Sequence, residues 1–266
     1  MRRLLRAIYD GRGYVPLPSP PTSTASSFKF TPRYLRDMSP YVPFALISAL
    51  MRLGHKYKLK DIVDDAAQHL EDYFTTDFGT WLQYCNGDTG TTFDFSDDEG
   101  ADIFEAVNLA RLTHKFSILP LALYKCCQYD LAEFVFGIER EASGDVVYLG
   151  QDDVERCVRA RERLLRESCQ MAQTIGSATS SPHCEAPHVC PRQLESLHKT
   201  STSMLAGLIN TDALSGFREQ LGMVTGFVQW MELCYECWEG LAFQHELKQR
   251  ETWGSSWIYW IWRTRI

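Results

Sequence analysis

The sequence predicts a mainly α-helical protein with one small β-hairpin, and three observations lead there. Apolar residues recur at three-and-four spacing across Phe44–Phe74 and again from Asp152 to about Ile175, the signature of amphipathic helices. The strand signal is confined to one stretch, FVFGIEREASGDVVYL, where β-branched and aromatic residues flank the turn Ser143-Gly144-Asp145. A hydrophobic content of 45% over 266 residues is enough to bury a substantial core.

In chain order, MRRLLRAIYDGRGY places Leu4, Leu5, Ile8 and Tyr9 on one face of a helix that stops at Asp10-Gly11. This reading is preferred over a transit peptide, which the arginine- and serine-rich start superficially resembles. From Val15 to Pro43 seven prolines remove backbone donors and fix angles, so a flexible insertion is expected there. Two helices follow. The first carries Ile47, Leu50, Met51 and Leu53; the second carries Leu59, Ile62, Val63, Ala66, Leu70, Tyr73 and Phe74. Gly54–Tyr57 is read as the bend between them, and Asp61, Asp64 and Asp65 complement the dipole of the second.

Residues 84–101 form an acidic loop with Asp94, Asp97, Asp98 and Glu99. Asp94, Ser96, Asp98 and Glu105 have calcium-loop spacing, but Glu99 stands where the sharp turn needs glycine, so a solvated loop is the better reading. Asp102 is expected to cap a helix reaching about Thr113, with Ile103, Phe104, Val107 and Ala110 on its inner side. Pro120 suits the first turn of the next helix, from Leu119 to about Tyr129, which bears Cys126 and Cys127. The hairpin at about 134–149 is expected to be the only sheet. The longest helix then starts at Asp152 or Asp153; Arg159, Arg161, Arg163 and Arg166 alternate with Glu155, Glu162 and Glu167, which makes a solvated ion-paired face rather than a basic recognition helix. A break at Gly176–Pro182 precedes the cysteine-rich third.

The totals exclude several functions. A net charge of -7 offers no general attraction to phosphate backbones, so direct nucleic-acid binding is not expected. Nine cysteines without a secretory apolar stretch fit free or metal-bound thiols in an intracellular, cytoplasmic or nuclear, setting. No apolar run approaches the roughly 20 residues of a membrane span.

The segments LLRAIYDGRGY and ISALMRLGHKYKLKDIVDDAAQHLEDYF resemble the closing helices of a BTB/POZ domain. With TTDFGTW at Thr75–Trp81, VNLARLTHKFSILPLALYKCC at Val107–Cys127 and RERLLRES at Arg161–Ser168, the chain resembles the BTB-domain proteins of mushroom-forming (basidiomycete) fungi. The resemblance implies a non-enzymatic protein–protein interaction protein: an adaptor, scaffold or transcription-associated partner. It departs from the family in two ways. The strand–helix–strand core that carries the family's dimer interface has no counterpart before these helices, which leaves self-association open, and the proline-rich insertion is longer than the family's. The domain plan is then a partial BTB/POZ domain at 1–83 with a disordered insertion at 15–43, the acidic loop at 84–101, a post-BTB helical region at 102–176, a cysteine-containing helical subdomain at 177–252, and an aromatic tail at 253–266.

The chemical candidates lie in that subdomain. His183, Cys184, His188 and Cys190 are followed far downstream by Cys234 and Cys237. Cys184-x5-Cys190 and Cys234-x2-Cys237 together offer four soft ligands for a structural zinc, the second pair at a helix entrance. The structural alternative is that small thiols fill core space. The family resembled often carries paired cysteines in these two places, which favours the metal. Redox catalysis by Cys234 and Cys237 needs a strand–turn–helix setting that the pattern does not provide. The sequence contains no G-x-S-x-G, HExxH, P-loop or GxGxxG motif, and His55, His69, His114, His198 and His245 stand singly, read as surface or satisfied core residues. A thiol- or metal-dependent enzyme, or a truncated product without function of its own, remain the rival readings. The tail WGSSWIYWIWRTRI holds four of the seven tryptophans and is expected to pack on the helical body, or to reflect an error in the gene's assigned ending, rather than to anchor to a membrane interface or a partner groove.

Overall fold

The computed structural model describes residues 42–86, 93–94, 99–141, 143–208, 211–219, 221 and 232–254. The N-terminal helix, most of the proline-rich insertion, much of the acidic loop and the tail beyond Gly254 lie outside the described residues. The fold is mainly helical. In order, the elements are β1 (Val42–Pro43), α1 (Phe44–Lys56), α2 (Lys60–Tyr73), α3 (Phe78–Asn86), β2 (Phe93–Asp94), α4 (Glu99–Thr113), α5 (Leu119–Cys126), α6 (Leu131–Phe136), β3 (Ile138–Glu139), β4 (Val146–Val147), α7 (Gln151–Gly176), α8 (Cys190–Leu208) and α9 (Tyr235–Gly254). They divide into two compact units that do not follow the linear order. Of the described residues, one unit takes those within 42–75, 93–122 and 135–149, and the other those within 76–86, 123–134 and 150–254. Helices α5 and α6 contribute residues to both.

In the first unit α1 packs against α2 and α4. Phe44, Ile47, Met51, Leu70 and Phe74 are fully buried, because the three-and-four spacing turns each of these side chains inward. The bend falls later than expected. Gly54 is helical, and Lys58 takes the left-handed conformation at φ 56°. The stop is a Schellman motif: Leu59 N–H donates to Gly54 O at 2.8 Å and Lys58 N–H to His55 O at 3.2 Å. Gly54 is small for a different reason, since a Cβ there would sit 2.8 Å from Val63 Cγ2 on α2. Helix α4 ends the same way, with His114 at φ 59° and Lys115 N–H donating to Ala110 O at 2.9 Å.

Helix α4 starts at Glu99, so Asp102 is not its cap. It is buried within the helix and pairs with Arg140 at 2.5 Å. Burial also extends around α4, through Ile103, Phe104, Ala106, Val107 and Leu109, rather than along one side. Glu105 is engaged by Ser48, by Arg52 at 3.0 Å and by Arg140 at 2.5 Å. Burial alone would raise its pKa, but these hydrogen bonds and the two guanidinium charges hold it below the usual carboxylate range. With its oxygens so committed, Glu105 is a structural ion-pair residue rather than a calcium ligand.

The hairpin is shorter than its sequence span. Ile138 pairs with Val147 and Glu139 with Val146, antiparallel, whereas Phe134–Phe136 belong to α6. Gly144, at φ 70°, supplies the left-handed turn residue. It is not the only sheet: β1 and β2 pair in parallel, Val42 with Phe93 and Pro43 with Asp94. Two residues per strand carry too little periodicity to be read from sequence.

In the second unit α7 lies against α8 and α9. Met171, Ile175, Leu194, Leu197, Leu221 and Leu241 form one buried apolar cluster. The ion pairs expected on the outer face of α7 are present as Arg159–Glu155 and Arg166–Glu162. Arg161 behaves differently from its neighbours, donating to the carbonyls of Cys127 and Tyr129 and so satisfying groups left open where α5 ends. Helix α3 was not anticipated. Its Trp81 donates to Leu214 O at 3.1 Å and stacks on Trp253, the first tryptophan of the aromatic tail, which lies in α9 and also packs against Phe78.

Candidate metal centre

Two turns and two helix entrances bring four sulfurs together. Helix α7 ends at Gly176, and Ser177 N–H closes it onto Gln173 O at 2.8 Å. The following loop is built from tight turns: Cys184 N–H donates to Ser181 O at 3.0 Å, and Cys190 N–H to Ala186 O at 3.0 Å. Pro191 then occupies the first turn of α8, where its missing N–H costs no helical bond. His198 Nδ1 lies 3.0 Å from Gly176 O and ties α8 to the end of α7. On the other side, Trp238 N–H donates to Cys234 O at 3.0 Å, so Cys234 sits just before α9 and Cys237 in its first turn.

The Sγ atoms of Cys184, Cys190, Cys234 and Cys237 all lie within 4.8 Å of one another. Cys184 and Cys234 are 3.9 Å apart. Sulfurs about 2.3 Å from a tetrahedral zinc stand roughly 3.8 Å from each other, so the set needs only slight contraction to close on such an ion. Backbone donors already point at these sulfurs: Cys234 N–H to Cys190 Sγ and Ser181 N–H to Cys237 Sγ, each at 3.3 Å. Such N–H contacts stabilise thiolates and orient ligands. Hydrogen bonds, first from Cys237 N–H, draw the Cys234 thiol down to about 6, while burial pushes Cys237 up to about 12 and also raises Cys190. Four facing thiols cannot all ionise without a cation among them, and that is the chemistry a divalent metal supplies. The four cysteines expected to act together are therefore together. His183 and His188 are exposed and outside the group.

No family model, curated protein or solved structure matches this chain.

Other reactive groups are committed elsewhere. Cys126, Cys127 and Cys157 are buried; burial pushes the first thiol up, and its hydrogen bond to Cys157 does so for the second. Cys85 donates to Leu214 O at 3.6 Å, and burial pushes it up to about 12. Tyr124 bonds Asp212 and accepts from Leu214 N–H at 2.9 Å, while Gln249 donates to the carbonyls of Leu214 and Ser215 at 2.7 and 2.9 Å. This buried polar network joins segments more than eighty residues apart, and no local signal in the sequence announces it. His245 is neither a surface residue nor a satisfied one: it is 1% exposed, its Nε2 finds no partner among the described residues, and burial drives its pKa down to about 4. No described helix is long and apolar enough to cross a membrane.

Proposed function

We propose that this chain is a non-enzymatic protein–protein interaction protein of the BTB type, an adaptor, scaffold or transcription-associated partner, whose second unit is held by one structural zinc. The observation that carries the metal reading is the four-sulfur cluster, all within 4.8 Å. A set of four protein ligands leaves no open position for water or substrate, as in structural rather than catalytic zinc sites. Cys184, Cys190, Cys234 and Cys237 would hold the ion, which supplies a cross-link between the loop after α7 and the start of α9. The adaptor reading draws its support from the sequence resemblance of Phe44–Phe74 and the segments after it, and from the commitment of the other thiols and carboxylates to packing and ion pairs.

Two measurements test it. Elemental analysis of the purified chain should give one zinc per chain, retained through gel filtration. Affinity purification from native cells should return a specific polypeptide in stoichiometric amount. The competing enzyme reading uses Cys234 and Cys237 as a cycling dithiol; a metal-free chain that turns over a disulfide substrate through those two thiols would replace the proposal.

A further inference from the structure

The four sulfurs of the cluster are not equivalent. Cys190 and Cys237 are buried, whereas Cys184 and Cys234 are half exposed. Cys190 accepts the N–H of Cys234 and Cys237 that of Ser181, each at 3.3 Å. A hydrogen bond to a thiolate stabilises its charge and lowers its basicity, and nucleophilicity falls with basicity. Cys184 is thus reachable, whereas Cys190 and Cys237 are buried and held by backbone N–H groups. Its partner on the exposed side is Cys234, 3.9 Å away.

We propose that Cys184 is a peroxide-reactive ligand whose oxidation joins it to Cys234 and opens the metal site, making the zinc cross-link redox-regulated. The inference rests on the zinc reading above. In the first step the Cys184 thiolate attacks one oxygen of hydrogen peroxide: an S–O bond forms, the O–O bond breaks, and the departing hydroxide takes a proton to become water. The Cys234 thiolate then attacks the Cys184 sulfur; the S–S bond forms, the S–O bond breaks, and the second hydroxide leaves as water after protonation. Two thiolates have lost two electrons, peroxide has gained them, and two protons have been consumed. Only Cys190 and Cys237 remain as thiolates, too few for a closed four-coordinate site, so zinc release accompanies the disulfide. The loop carrying Cys184 stays tethered to α9 by the new covalent bond.

The test uses the zinc-loaded full chain without substitutions, because ligand variants can fail to fold. Zinc content is measured first; the chain is then titrated with hydrogen peroxide under argon, free thiols are blocked, and disulfides are mapped by peptide mass spectrometry while a chromophoric chelator reports zinc. The expected result is a Cys184–Cys234 disulfide rising one for one with released zinc. In a separate iodoacetamide pulse, Cys184 should label about tenfold faster than Cys190 and Cys237. Labelling of Cys169, half exposed on α7, serves as an internal reference outside the cluster. A zinc-holding chain that forms a different first disulfide, labels its four ligands equally, or keeps its zinc after Cys184 is oxidised overturns this proposal and leaves the metal reading standing. A chain that holds no zinc and takes up none overturns both.

Discussion

The two units are stabilised by different chemistry. The first is an apolar body: Phe44, Ile47, Met51, Leu70, Phe74 and Phe104 are sealed from solvent, and its buried charges close on themselves through Arg140, Asp102 and Glu105. The second has, among the described residues, an apolar cluster around α7, α8 and α9, accompanied by polar groups at its centre and a sulfur cluster at one end. A metal or a disulfide is a common supplement to apolar packing in small proteins. The contrast teaches that the two halves of this molecule should fail under different stresses.

The largest effect should come from chelation. Removing a structural zinc forfeits a binding energy of about 10 kcal/mol or more in small zinc modules, so amides in 177–190 and 234–246 should lose hydrogen-exchange protection while α1, α2 and α4 keep theirs. Equal loss in both units would break the comparison. Next, Phe104→Ala removes a fully buried ring from the first unit. It should cost about 3–5 kcal/mol by denaturant titration and leave zinc content unchanged.

His245 should add an acid sensitivity to the second unit. Its folded pKa of about 4 lies below the ordinary value of 6.5, so the unfolded chain binds a proton that the folded one refuses. Stability is complete above pH 6.5, falls as pH drops from 6.5 toward 4, and levels off below that, for a total of about 3 kcal/mol. The difference in stability between wild type and His245→Gln, followed against pH, should carry this slope. The smallest effect belongs to Lys58→Gly in the first unit: a left-handed residue without a Cβ removes a steric cost, and the variant should gain about 0.5–1 kcal/mol. A loss there would mean that the Lys58 side chain contributes more than its backbone strain costs.

Much of this was legible from spacing. Helices α1, α2 and α7 follow directly from apolar periodicity, and the hairpin turn from Ser143-Gly144-Asp145, because these signals are local. The proximity of the two cysteine pairs follows from ligand chemistry together with the family resemblance, and the intervening chain of more than forty residues does return them to one place. What escaped was non-local or ambiguous. Gly54 has the residue type of a helix end, but here it serves a close contact with Val63, and the bend uses Lys58. Asp102 has the residue type of a cap and the environment of a buried ion pair, a distinction only Arg140, thirty-eight residues away, can make. The Tyr124–Asp212 contact and the isolation of His245 depend on which distant carbonyls arrive beside them.

Trp238 follows the last cysteine of the cluster directly and packs against Phe217, with Arg218 over its ring, whereas Trp81 and Trp253 stack on each other elsewhere in the same unit. The second unit therefore carries its own optical labels. Emission from Trp238, isolated as the difference between wild type and Trp238→Phe, should follow ligand exchange at the adjacent thiols, and the near-ultraviolet dichroism of the stacked pair should respond to the integrity of α3 and α9, so that opening of the cysteine end and melting of the helical body can be told apart without a dye.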